Sequence, residues 1–200
     1  MKLINRIKSG VGLFTLLTSL SACHSTFRQD SFEDKASFME YVKDLDYGLK
    51  MVAEFPNGVK ITPLFVPNDL ILSEAKDKES FKGNLYLILS FSRNGKELLS
   101  QLPQGEYGAF VQTFSFGMDR FISAFIDDSK EAIKPIMTSF QPTYQMTNSN
   151  DLLVVFKRSE ILNGRKLRLV INDFGLQTAE IKFNFDSKDI AYLSNVNILN

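Results

Sequence analysis

The chain has 200 residues, with 23 Lys+Arg balanced by 23 Asp+Glu, eighteen Phe, one Cys and one His. A balanced charge argues against the basic face that neutralises nucleic-acid phosphates. One thiol rules out an intramolecular disulfide, and one imidazole leaves no Cys/His zinc set and no Ser-His-Asp site once His24 falls on a tether.

The first ten residues carry Lys2, Arg6 and Lys8 and no acid, and Val11 to Leu20 is apolar apart from small or hydroxylated side chains. This is the layout of an export signal. The weakly polar-to-apolar run from Ser9 to Ala22 is 14 residues long, short of the roughly 20 that a helix needs to cross about 30 Å of hydrocarbon. It ends in Leu20-Ser21-Ala22-Cys23, which contains the only cysteine. That tetrapeptide resembles the lipobox of bacterial envelope lipoproteins of Gram-negative type. The resemblance covers about a tenth of the chain and implies cleavage between Ala22 and Cys23, a diacylglycerol thioether on Cys23 and an acylated new amino terminus. Two or more acyl chains hold a protein stably at a bilayer, where one does so marginally. His24 stands where an Asp would favour inner-membrane retention, so the resemblance implies the outer membrane. An ordinary secretory signal with Cys23 left as a free thiol is the competing reading. Loss of residues 1–22 removes three basic side chains and leaves 20 Lys+Arg against 23 Asp+Glu.

Residues 23–37 are polar and aperiodic and are expected as a lipidated N-terminus and flexible tether, with 38–200 as a single β-rich domain. Phe38, Tyr41, Val42 and Leu45 have helical spacing. Two alternating runs, Tyr47 to Phe55 and Val59 to Val66, flank Pro56-Asn57-Gly58 and predict a hairpin whose Pro63 belongs at an edge or a bulge. Asn68 or Asp69 can cap a short helix from Leu70 to Lys76. Leu85, Leu87, Leu89 and Phe91 alternate as a strand that ends at Asn94-Gly95.

Residues 106–126 fit either period. A short helix near 106–112 and a bulged strand over 114–126 are expected, because Phe116 would lie exposed on a longer helix and Gly117 would weaken it. Ala132 to Phe140 reads as a returning strand. Asp151 to Lys157 has the apolar run of a central strand, Asn163-Gly164 reads as a turn, and Leu167 to Ile171 and Ile181 to Phe185 alternate as half-buried strands. The expected fold is mainly β, an antiparallel β-sandwich with one to three short helices, for which the immunoglobulin arrangement is one form.

No catalytic set, cofactor motif or metal-ligand spacing stands out. Asp127-Asp128 lacks the spacing of a Ca²⁺ loop. Asp173-Phe174-Gly175 matches a kinase tripeptide without its companion motifs, and so reads as a bend. Tyr107, Tyr144 and Tyr192 are the aromatics most able to protrude and stack on a sugar. The expected function is a noncatalytic lipid-anchored component of the envelope that binds a protein partner. A glycan- or ligand-binding module is the alternative, and a hydrolase using paired carboxylates the second alternative.

Overall fold

A computed structural model describes residues 29–71, 81–193 and 195–198. The tetrapeptide Leu20-Ser21-Ala22-Cys23 lies outside the described residues. Strand β1 (Ser31–Phe32) and helix α1 (Lys35–Lys43) open the described chain. The Asp34 carboxylate accepts the Ser37 N–H at 2.7 Å and caps α1, and this bond from Ser37 holds its pKa below the ordinary carboxylate value. Phe32 is buried and stacks on Phe38 at 4.7 Å. The stretch expected as a tether therefore belongs to the folded body from Ser31 onward. Strand β1 pairs in parallel with β11 (Asn197–Ile198), which closes the two ends of the body on each other. Phe32→Ala is expected to cost about 3–5 kcal/mol, measured by urea unfolding; a purely flexible tether would predict no change.

The six-stranded sheet runs β2 (Ala53–Glu54), β3 (Val59–Val66), β4 (Asn84–Arg93), β8 (Asn150–Lys157), β7 (Met137–Phe140), with β5 (Lys96–Glu97) paired to one end of β4. The second sheet has β6 (Ile122–Ile126), β9 (Lys166–Ile171) and β10 (Ile181–Asp186) in the order β10-β9-β6. Every pairing in both is antiparallel. Strand alternation turns Leu85, Leu87, Leu89 and Phe91 inward beside Leu152, Val154 and Phe156. From the other sheet come Leu167, Leu169, Ile171, Ile181, Phe183 and Phe185, all in the same buried cluster. Phe65 meets Phe185 edge-on at 5.0 Å across the gap. The protein is thus mainly β, two antiparallel sheets in a sandwich-like arrangement around one core.

Turn chemistry acts as expected at Asn94-Gly95, whereas at Asn57-Gly58 only the glycine has positive φ and at Asn163-Gly164 neither residue does. Asn94 and Gly95 both have positive φ, the requirement of the two-residue hairpin that joins β4 to β5. Pro63 lies in β3, between β2 and β4, yet its carbonyl accepts Met51 N–H at 3.0 Å on the β2 side, where pairing is intermittent. In an antiparallel strand the N–H and C=O of one residue point the same way, so the donor that Pro63 lacks falls on that weak edge. Regular β2 covers only Ala53–Glu54 of the expected strand from Tyr47, continued by a single bridge from Lys50 to Leu64. Helix α2 occupies Asn68–Ile71; the rest of the helix expected to Lys76 lies outside the described residues.

Residues 104–126 depart from expectation. Helix α3 spans Gln104–Phe116, a 3-10 turn follows at Met118–Arg120, and β6 begins only at Ile122. Phe110 and Phe114, four residues apart, are buried, while Phe116 is 85% exposed. The core contacts of one helical face outweigh a single exposed Phe, and Gly117 ends the helix instead of interrupting it. The returning strand is regular only over Met137–Phe140; Ile133 bridges to Ala124 of β6 before the chain crosses to the larger sheet. Short helices α4 (Arg158–Ile161) and α5 (Ser187–Tyr192) complete the body, which holds more helix than the one to three segments expected.

Candidate functional site

The β4–β5 hairpin delivers Glu97 into the body, where it is 3% exposed. A buried carboxylate is costly unless its oxygens are fully engaged, and five donors meet this one. Thr143 Oγ1 (2.6 Å), Thr147 Oγ1 (2.9 Å) and Thr147 N (3.1 Å) donate to one oxygen, while Gln145 N (3.0 Å) and Asn150 Nδ2 (3.2 Å) donate to the other. Asn150 in turn accepts Leu99 N–H at 2.8 Å through Oδ1. Burial alone would raise the Glu97 pKa; the hydrogen bonds from Thr143, Gln145 and Thr147 outweigh it and hold the carboxyl below its ordinary value.

The result is a clamp on the loop that joins β7 to β8. Tyr144 and Gln145 sit at φ of 50° and 69°, left-handed conformations that non-glycine residues avoid. The bonds to Glu97 on either side hold them there. Held this way, the loop presents Tyr144 and Met146 at 75% and 80% exposure. Tyr107, 41% exposed on α3, lines the same small cavity of about 100 Å³ as Tyr144, Pro142 and Gln145. Leu45, Phe81, Phe116, Ile136 and Met137 are also exposed apolar residues; like Met146, none of them lines this cavity, and Met146 belongs with Tyr144 only through the clamped loop that carries both.

Two of the three tyrosines expected to protrude therefore meet at one place. Tyr192 does not join them: its hydroxyl donates to the Gln29 carbonyl and its ring lies 5.9 Å from that of Tyr41. Met146 and Glu97 were not foreseen. Partners 46 to 53 residues away from Glu97 leave no periodic trace, and the available hint was a Thr-rich polar gap following a lone acid after Asn94-Gly95.

The other acidic positions singled out in the sequence organise turns. Asp127 accepts the N–H of Arg165 (3.1 Å) and of Lys166 (2.9 Å). Asp173 accepts those of Gly175 (3.2 Å), Leu176 (2.8 Å) and Gln177 (3.2 Å), so Asp173-Phe174-Gly175 is a bend that wraps its own carboxylate. Gly164 packs against the Asp127 turn so closely that a Cβ there would lie 2.6 Å from Asp127 Oδ2. Gly164→Ala is accordingly expected to destabilise by about 1–3 kcal/mol, read from the urea midpoint.

Among the described residues no group of three or more His, Cys, Asp or Glu could hold a metal ion, and no helix is long and apolar enough to cross a membrane. No protein-family model, curated protein or solved structure matches the chain.

Proposed function

We propose that the chain is a noncatalytic lipoprotein, anchored through Cys23 in the bacterial outer membrane, that binds another envelope protein through the Tyr107-Tyr144-Met146 surface. The observation that carries the binding half is the clamped loop. Tyr and Met are favoured at protein interfaces, and a loop already held in shape loses little entropy when it docks. The anchoring half rests on Leu20-Ser21-Ala22-Cys23. Six residues from Cys23 to Gln29 span at most about 20 Å, so a lipidated Cys23 would hold the folded body close to the bilayer.

A photo-crosslinking residue at position 146 in intact cells tests this, with a control at exposed Leu45. The expected result is one discrete protein adduct from 146 and none from 45. The double variant Tyr144→Ser, Met146→Ser is expected to weaken that partner's binding at least about 10-fold and to change stability by less than about 0.5 kcal/mol.

A glycan-binding reading has one observation of its own: Tyr107 and Tyr144 share the wall of a small cavity, an arrangement on which a sugar ring could stack. It predicts binding on a glycan array that Tyr144→Ser abolishes, with no protein adduct from position 146.

A further inference from the structure

A second site lies over the outer face of the three-stranded sheet. Alternation along β9 and β10 turns Lys166 and Arg168 outward opposite Asp186 and Asn184. With Arg165, Lys188 and Ser187 they line an open cleft of about 950 Å³, at the upper end of the range for small-molecule sites.

The charges in this cleft are unevenly engaged. Asp127, on its rim, gives its carboxylate to the backbone N–H groups of Arg165 and Lys166, and Asp186 lies 3.9 Å from Lys188. Arg168 is steadied over the Phe125 ring at 5.1 Å, which leaves its guanidinium edge for another group. Arg165, Lys166 and Arg168 form no ion pair with any described residue. Ser187, which also lines the cleft, is only 5% exposed, and its hydroxyl has no hydrogen-bond partner.

We propose that this cleft binds a hydroxylated anion of saccharide size, its phosphate or carboxylate against Arg165, Lys166 and Arg168 and its hydroxyls against Asn184 and Asp128. Arginine suits both anions, because its planar fork meets two oxygens at once. The mixture of donors with the carboxylates of Asp128 and Asp186 suits hydroxyl groups, which both donate and accept. The site shares no lining residue with the Tyr144 cavity, so it stands independently of the protein-binding reading.

Thermal shift on the purified mature chain tests it with four probes: glucose 6-phosphate, glucuronate, glucose and inorganic phosphate. Glucose 6-phosphate or glucuronate at millimolar concentration is expected to raise Tm by several degrees, since a ligand that binds only the folded state stabilises it by mass action; glucose and phosphate are expected to give little. The double variant Arg165→Gln, Lys166→Gln changes two exposed side chains and should keep the unliganded Tm while losing the shift. No shift with either sugar anion, an equal shift with glucose or phosphate, or a shift retained in the double variant would overturn the proposal.

Discussion

Glu97→Ala is expected to lower the unfolding free energy by about 3–5 kcal/mol, because it strands the donors that converge on a buried carboxylate. The N–H groups of Gln145 and Thr147 and the Asn150 amide lose their acceptor together, and the left-handed backbone at Tyr144 and Gln145 loses the bonds that hold it. Urea unfolding measures the loss, and the protein adduct from position 146 should disappear with it. The same carboxylate sets a pH dependence. Its folded pKa lies below its ordinary value near 4.5, so it stabilises the fold above the unfolded pKa, and that contribution fades as pH falls from about 4.5 through the folded value. Glu97→Gln places an amide N–H₂ among donors, is less stable at neutral pH, and should show a flatter acid limb than wild type. Equal acid slopes for the two proteins would refute the assignment.

Phe114→Ala is expected to cost about 3–5 kcal/mol, which for a body of this size lowers Tm by about 6–20 °C. Phe114 has no exposed surface, and its ring meets Phe91 of β4 at 5.0 Å, Phe140 of β7 at 5.1 Å and Phe174 of the Asp173 bend at 5.7 Å. Removing it leaves a cavity where α3, the large sheet and the bend converge. Phe116→Ala, two residues along the same helix, should change stability by less than about 0.5 kcal/mol, since its side chain is 85% exposed. Scanning calorimetry on the two variants separates the helical account from a strand through residues 114–126, which would put both side chains on one face and give them similar costs.

That contrast marks the limit of what periodicity conveys. Strands β4, β9 and β10 were legible because three or four inward residues alternate in each and face one core, and β8 because it is a nearly continuous apolar run, as a central strand is. Asn94-Gly95 was legible because its backbone angles are unusual. Phe114, Phe116 and Met118 also alternate, and only the presence of Phe91, Phe140 and Phe174 against one helical face decides between the two periods. Likewise Tyr107 and Tyr144 could be singled out as able to protrude, whereas their meeting depends on Glu97 reaching residues 143–150 from another hairpin. The cleft at Arg168 was hidden for a related reason: Lys166, Arg168, Asn184 and Asp186 each look like the solvent face of a strand, and only strand register places them opposite one another.

Attachment through Cys23 is tested most directly by growing cells on labelled palmitate and fractionating them. Wild type is predicted to carry label and sediment with the envelope, and Cys23→Ala to lose the label and appear in the soluble fraction. An unlabelled wild-type protein, or a Cys23→Ala protein that sediments with the envelope as fully as wild type, would contradict the account.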